Sequence, residues 1–285
     1  MINRREFLIC SGLSSLAAGC LKVSNNIEEL PAAIVASSLK DVDEYFDFRN
    51  SYDLDDLTAS VLYSSEKPED KYRNYHNIKG FIKEPDGLSA LVMAMSSAPW
   101  VTYNDYILYA QEKTTSFIRA LIAFSSNSSE SHQRYESNRL KYEIPDEIAA
   151  LMSFAKDPEE RIGIYMELSV DDRMEAALIA FTTGQARNAY NILIDDEKIS
   201  RVQSLVLAHS GDPRRAYPTY FNIKKEYPIK PMEREYDTGI ISPNPASDSI
   251  LPYYATVFIL SQHDYSDRIK EKLPRPALPG RPLSF

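Results

Sequence analysis

The chain has 285 residues and carries 41 acidic against 32 basic side chains, which gives a formal net charge of −9 at pH 7. This acidic balance argues against nucleic acid as a partner, because phosphate binding depends on Lys and Arg. The only cysteines are Cys10 and Cys20, and both lie near the start of the chain. We therefore expect neither an internal disulfide nor a cysteine-based metal site in the body of the protein.

The first 20 residues have the order of charged, apolar and small residues that is typical of a secretory signal peptide. Arg4 and Arg5 are followed by a run from Phe7 to Gly19 without a charged residue, and small residues precede Cys20. The run is too short for a permanent membrane span, which needs about 20 apolar residues. The pattern predicts that residues 1–19 are removed and that residues 20–26 form a short tether. The alternative is a buried first helix of the folded domain.

This N-terminal segment resembles two export motifs of bacteria. Asn3-Arg4-Arg5-Glu6-Phe7-Leu8 is similar to the twin-arginine signal, with Asn3 where Ser or Thr is usual. Leu16-Ala17-Ala18-Gly19-Cys20 is similar to a lipoprotein box, in which the cysteine receives a diacylglycerol and becomes the first residue. The resemblance implies lipidation at Cys20 and an export motif made by Arg4, Arg5, Phe7 and Leu8. Because Ala17 stands where Leu is commoner, cleavage without lipidation is the alternative.

The rest of the sequence has mainly helical periodicity and predicts an all-α domain over residues 27–272. The apolar spacing predicts one helix over 103–124 and another over 171–182, the latter starting at Ser169. The pairs Asp157-Pro158 and Asp212-Pro213 predict two more helix starts, since proline in the first position loses no hydrogen bond. The polar tract 125–138 predicts a mobile loop. Residues 240–249 and the proline-rich tail 273–285 predict extended chain.

A repeat of about 30 residues appears when the apolar helices are aligned. The clearest pair is Gly184 to Tyr190 against Gly211 to Tyr217, which share Gly, Arg, Ala and Tyr at an offset of 27 residues. Looser relatives begin with a small residue and an apolar run, at Ala33, Ala59, Ala90, Ala120, Ala150, Ala177 and Ser204. This period predicts stacked helical hairpins, that is an α-solenoid. The pattern is similar to HEAT-type repeats, and the alternative is an irregular helical bundle in which such helices recur by chance.

The aligned hairpins supply the candidate binding residues. Tyr190 and Tyr217 are expected to fill the seam between units, and Arg187 and Arg214 occupy matching positions before them. His209 ends an apolar helix beside a polar turn. A structural role for His209 at the helix end is the main interpretation, and a binding or catalytic role is the alternative.

Motifs for common catalytic chemistry are absent from the sequence. The four histidines are far apart and have no partner at metal-ligand spacing, and no HExxH, paired CxxC or phosphate-binding glycine loop occurs. Acidic runs near Asp41 and Asp53 begin like calcium loops but lack the required glycine and glutamate, which predicts ordinary solvated turns. We therefore expect no metal and no cofactor.

One segment is faintly similar to the helical acid phosphatase and vanadium haloperoxidase superfamily. It runs from Lys224 through Lys230 to Pro245-Ala-Ser-Asp-Ser249 and the apolar helix that follows. Asp248 stands where that superfamily has its histidine, and the later nucleophilic histidine segment is missing. A degenerate periplasmic hydrolase, using His209 or His263, is therefore the alternative function.

The favoured hypothesis is a membrane-tethered lipoprotein of the bacterial envelope, on the periplasmic face or at the outer membrane. It would bind another envelope protein or a polar ligand through the concave or tyrosine-bearing face of its helices, without catalysis.

Overall fold

The computed structural model describes residues 25–81, 86–109, 114–125, 127–196, 198–230 and 251–262. Within these ranges the chain is all-α, as predicted, apart from two strands of two residues each. The elements are β1 Ile27–Glu28, α1 Glu29–Ser38, α2 Val42–Tyr52, α3 Asp56–Tyr63, α4 Pro68–Phe81, α5 Gly87–Met95, α6 Pro99–Leu108, α7 Ser116–Phe124, α8 Ser128–Tyr142, α9 Asp146–Met152, α10 Pro158–Glu167, α11 Arg173–Phe181, α12 Gly184–Leu193, α13 Arg201–Ala208, α14 Pro213–Glu226, β2 Ile229–Lys230 and α15 Leu251–Gln262.

The helices from α1 to α14 alternate between an inner and an outer layer. Odd-numbered helices are short and almost wholly buried; in α5, for example, every residue from Leu88 to Met95 is buried. Even-numbered helices bury only one stripe, as α12 does with Tyr190 and Leu193. Short links separate consecutive helices, so neighbours run antiparallel and form hairpins. The inner helices are apolar all round because they are covered on every side.

The predicted repeat starts all lie on inner helices, one to each helix. Each of these residues is completely buried, at 0 % exposure, and they are Ala33, Ala59, Ala90, Ala120, Ala150, Ala177 and Ser204. Each outer helix packs against the inner helix of the following unit, and most also pack against their own. The hairpins therefore stack in sequence order, and the small residues lie where neighbouring inner helices approach closely.

The stack closes into a ring, because the last unit packs on the first. Helix α13 contacts α1, and α14 packs along α1 on the outside. Hydrogen bonds join the two ends: the Ser210 hydroxyl donates to the Ser37 carbonyl at 2.9 Å, and the Gln203 amide donates to Glu29 at 2.9 Å. Outside them, β1 and β2 pair in parallel, with Ile27 opposite Ile229.

Helix α15 fills the centre of the ring. Every residue from Pro252 to Leu260 is buried, and the helix packs mainly against the inner helices α1, α3, α5, α11 and α13. The ring of Tyr253 packs edge-on against Phe117, with centroids 5.2 Å apart. The inner, concave side of the hairpins is therefore covered by the chain itself.

Three local predictions need correction. The single helix predicted over 103–124 is two helices, α6 ending at Leu108 and α7 starting at Ser116. The loop predicted from 125 to 138 is mostly helix α8. Helix α11 starts after Asp172, whose carboxylate accepts from the Glu175 N–H at 3.0 Å, and not after Ser169.

Helix α8 forms despite its polar composition because it has a cap and a buried stripe. The Asn127 side chain accepts a hydrogen bond from the Glu130 N–H, which satisfies one of the free donors at a helix start. Tyr135 is completely buried, and the Ser131 and Ser153 hydroxyls lie 2.7 Å apart. A polar tract with one buried tyrosine therefore forms the outer helix of the fourth unit.

The acidic segment after Asp53 is also not a solvated turn throughout. Asp55 caps α3 by accepting from the Thr58 N–H at 2.8 Å. Asp56 is buried and accepts from Arg49 at 2.5 Å and from the Lys230 ammonium at 3.1 Å. Its second oxygen also accepts from the Glu28 N–H at 3.2 Å. Asp56 thus links α2, α3 and both strands where the ring closes.

Candidate functional site

The outer helices meet end to start around the ring, through aromatic contacts. Tyr52 at the end of α2 packs on Tyr72 of α4 with ring centroids 3.9 Å apart. Phe81 at the end of α4 packs on Trp100 at the start of α6, at 5.3 Å. Tyr52 and Tyr72 therefore have a packing role in these seams.

The seam between α12 and α14 opens into a groove of about 890 Å³. It contains two of the predicted binding residues, Arg214 and Tyr217. Its floor and walls mix apolar with polar side chains, together with the turn before α14. The lining residues are Gln185, Asn188, Ala189, Ile192, Leu193, Asp196, Gly211, Asp212, Pro213, Arg214 and Tyr217. We refer to it as the α12–α14 groove.

Tyr217 holds a carboxylate in place at the edge of this groove. Its hydroxyl donates a short hydrogen bond to Asp196, and the Lys198 N–H donates to the other oxygen of Asp196 at 3.0 Å. Both bonds favour the charged carboxylate and hold the pKa of Asp196 below its ordinary value, with the Tyr217 hydroxyl as the larger cause. The Tyr217 ring packs edge-on against Phe221, with centroids 5.0 Å apart. Tyr217 thus lies at the seam with the carboxylate of Asp196 fixed beside it.

Arg187 and Tyr190 occupy matching repeat positions but do not line the groove. The Arg187 guanidinium donates to the Ile179 carbonyl at 2.6 Å, which ties α12 to the last turn of α11. Tyr190 is only 4 % exposed, and burial raises the pKa of its hydroxyl. Arg187 thus joins α12 to α11. The residue at the equivalent repeat position in the next unit is Arg214, which is exposed.

His209 has a structural environment at the end of α13. Its Nε2 lies 3.0 Å from the Thr182 hydroxyl, and that hydroxyl donates to the Leu178 carbonyl at 2.7 Å. Since the single hydroxyl proton is used for Leu178, the pairing assigns the Nε2 proton to His209. Thr182 and His209 are 27 residues apart and end neighbouring inner helices, so this bond joins equivalent points of two units.

Some groove residues were not predicted as a site. Gln185, Asn188 and Asp196 have no motif that marks them in the sequence. Ile192 carries the clearest signal, because it is a large apolar side chain on the polar stripe of α12 and is 74 % exposed. Exposed apolar side chains that border polar ones are typical of binding surfaces.

A second groove, of about 640 Å³, lies in the equivalent seam between α2 and α4. It is acidic, with carboxylates from Asp41, Glu44, Asp47, Glu66 and Glu69. Its base Lys40 is already engaged, since the ammonium donates to the Tyr63 carbonyl at 2.8 Å and also to the Ser65 carbonyl. This groove provides a comparison for the α12–α14 groove, with a much larger excess of carboxylates.

The remaining predicted residues divide into two groups. Lys224 and Lys230 of the phosphatase-like segment are both paired with carboxylates, at 2.9 Å to Glu29 and 3.1 Å to Asp56. The others lie outside the described residues: Arg4, Arg5, Phe7, Leu8, Cys20, Pro245, Asp248, Ser249, His263 and the segments 240–249 and 273–285. No cluster of three or more potential metal ligands occurs in the described part of the chain.

Comparison of the chain with protein-family models, with curated proteins and with solved structures gave no match. Among the helices that the structure describes, none combines the length and the apolar character needed to cross a bilayer.

Proposed function

We propose that this chain is a membrane-tethered lipoprotein of the bacterial envelope, whose helical ring binds a segment of another envelope protein in the α12–α14 groove. The observation that carries the binding proposal is the convergence of Arg214 and Tyr217 with an apolar floor in one open groove. The tether rests on the order of Arg4-Arg5, the uncharged run and Cys20 in the sequence.

The chemistry of the groove fits a polypeptide segment better than a small apolar ligand. Ala189, Ile192 and Leu193 offer an apolar strip, which can receive apolar side chains. The amides of Gln185 and Asn188 lie on the same helix and suit peptide groups or polar side chains. Arg214 adds a positive charge, and Asp196 and Asp212 add negative charges, which gives direction and specificity to a bound chain.

The seam architecture supports binding here over binding in the centre of the ring. Helix α15 occupies the centre and buries the concave side of the inner helices. A partner therefore meets the outer layer, where the tyrosine-bearing seams are. Peptide recognition between two helices is a common mode in which apolar anchors lie along the groove.

Photo-cross-linking in the cell envelope tests the proposal. A benzophenone amino acid replaces the exposed Asn188 in the groove, and in a matched variant it replaces the exposed Ser51 in the acidic groove. We expect a discrete cross-linked species from position 188 and none of the same mass from position 51. Adding Arg214→Glu should abolish the species at 188 while the far-ultraviolet circular dichroism stays unchanged. Identical patterns from 188 and 51 would rule out the groove as the binding site.

A further inference from the structure

In the described part of the chain, the large apolar side chains that are well exposed share one position relative to the outer helices. All of them lie in the last turn of an outer helix or directly after it. They are Ile107 and Leu108 of α6, Leu140 of α8, Met166 of α10, and Ile192 and Ile194 at the end of α12, with exposures from 37 % to 74 %. Single exposed apolar residues are normal on a protein surface, but a shared position in four successive helices is not random scatter.

These positions lie at one level of the ring. Outer helices α6, α8, α10 and α12 belong to consecutive hairpins, and each is followed by a link to the start of the next inner helix. Because the ring closes on itself, equivalent positions in successive units do not climb along an axis. We call the side where outer helices end and inner helices begin the entry face. The turns from an inner to an outer helix, on the other side, carry no such side chain among the described residues.

The N-terminal segment reaches the ring at the same entry face. Strand β1 directly precedes inner helix α1, and it pairs with β2, which follows the end of outer helix α14. The Asn26 carbonyl accepts a hydrogen bond from Arg49 in the last turn of outer helix α2, at 2.8 Å. The first described residue, Asn25, is five positions after Cys20. Five residues span at most about 17 Å when extended.

Tyrosines accompany the exposed apolar residues at this face. Tyr109 follows Leu108, Tyr142 ends the helix that carries Leu140, and Tyr165 precedes Met166. All three are partly buried and pack against the core. Tyrosine is enriched where a protein meets the interface between lipid and water, because its ring is apolar and its hydroxyl is polar.

We propose that the entry face lies on the membrane surface, with Leu108, Leu140 and Met166 inserted among the lipid headgroups. This inference rests on the tether of the proposed function, which places the bilayer within about 17 Å of this face. The tether enters at the seam of units one and seven, and the inserted apolar side chains belong to units three to five. Two attachments on different arcs hold the ring flat on the bilayer, whereas a single flexible tether leaves its orientation free.

Site-directed labelling of the full chain on vesicles of phosphatidylethanolamine and phosphatidylglycerol tests this orientation. A Cys10→Ser background receives either Glu167→Cys at the end of α10 or Lys156→Cys just before its start, and both positions are exposed. A nitroxide label at 167 should become accessible to oxygen dissolved in the lipid. Its accessibility to a water-soluble paramagnetic relaxation agent should fall about tenfold, as expected for insertion at the headgroup boundary. The label at 156 should remain in water. The Cys10→Ser chain without an added cysteine is the control, because any label that it carries is on Cys20.

The outcomes separate this inference from the tether itself. Replacing Leu108, Leu140 and Met166 by glutamine should make position 167 as water-accessible as 156, while vesicle binding through an acylated Cys20 persists. If 167 and 156 are equally water-accessible in the unsubstituted chain bound to vesicles, the orientation is overturned and the tether stands. If Cys20 carries no acyl mass but 167 is protected, the tether fails and the entry face stands. A chain that stays in solution overturns both.

Discussion

Among single side chains, that of Asp56 contributes most directly to closure of the ring. Its carboxylate is 2 % exposed and contacts Arg49 and Lys230, and one of its oxygens accepts from the Glu28 N–H. The same carboxylate, together with burial as the larger cause, raises the pKa of Tyr45. Its neighbours belong to both ends of the ring, so its loss affects more than one hairpin.

We predict that Asp56→Asn lowers the free energy of unfolding by about 3–5 kcal/mol, because it leaves the charges of Arg49 and Lys230 without their partner. Chemical denaturation monitored by circular dichroism measures this loss. Glu159→Gln, which removes an exposed pair with Lys141, is the control and should leave the midpoint unchanged. Equal midpoints for the two variants would show that Asp56 does not join the ends of the ring.

At the groove, the contact between Tyr217 and Asp196 has a pH signature. The folded-state pKa of Asp196 is below its ordinary value, so its contribution to stability is fully present at neutral pH. It is lost as the pH falls through the lowered pKa. Tyr217→Phe removes the larger cause and should raise the pKa of Asp196 toward the ordinary value, as measured by carboxyl ¹³C titration. An unchanged titration would mean that the hydroxyl does not hold this carboxylate in solution.

The sequence reveals some of these residues and hides others for physical reasons. Tyr217 and Arg214 stand at repeat positions, so alignment of two hairpins finds them. Asp56 sits in an acidic run that looks solvated, and only the partners Arg49 and Lys230, 7 and 174 positions away, make its burial possible. Asn188 and Gln185 lie on the polar side of an amphipathic helix, where nothing distinguishes a groove wall from ordinary surface.

At the level of helices, the small residue in each inner helix sets the distance to its neighbours. Ala150 is completely buried in α9, a helix of seven residues that contacts α7, α8, α10 and α11. Close packing on all sides leaves no room for a larger side chain, because protein interiors are packed as densely as organic crystals.

We expect Ala150→Leu to lower the free energy of unfolding by about 1–3 kcal/mol through overpacking. Ser137→Leu adds the same side chain at an exposed position of α8 and should change stability by less than about 0.5 kcal/mol. Urea denaturation of both variants provides the comparison. A stable Ala150→Leu would mean that the inner helices are not packed as closely as the ring requires.

The sequence predicts a helix correctly wherever apolar residues recur clearly at helical spacing. The inner helices follow from their small and apolar runs, and α10 and α14 follow from Asp-Pro starts. Helix α8 does not, because only Tyr135 and a few small polar residues face the core. The break between α6 and α7 is hidden since apolar residues continue at helical spacing through both.

At the level of the whole molecule, a period near 30 residues predicts stacking but not closure. Each unit is rotated by a small angle relative to the unit before it, and the sum of these rotations decides whether a solenoid stays open or closes into a ring. The sequence of a single unit does not determine that sum. The closing contacts join residues 174 and 195 positions apart, from Glu29 to Gln203 and to Lys224. The central helix α15 was recognisable as apolar, but its place in the ring depends on that closure.

Closure also changes where binding is expected. An open solenoid offers its concave side, whereas this ring buries that side under α15 and leaves the seams of the outer layer. The proposed groove, the entry face and the tether all belong to this outer layer or to its edge.

Intact-mass analysis of the protein extracted from membranes tests the tethered lipoprotein most directly. We expect a polypeptide that begins at Cys20 and carries the added mass of a diacylglycerol on that residue, with residues 1–19 absent. Cys20→Ser should remove the added mass and release the protein from the membrane fraction. An unmodified Cys20 in the wild-type chain, or a mass that still includes residues 1–19, would rule out the lipid tether.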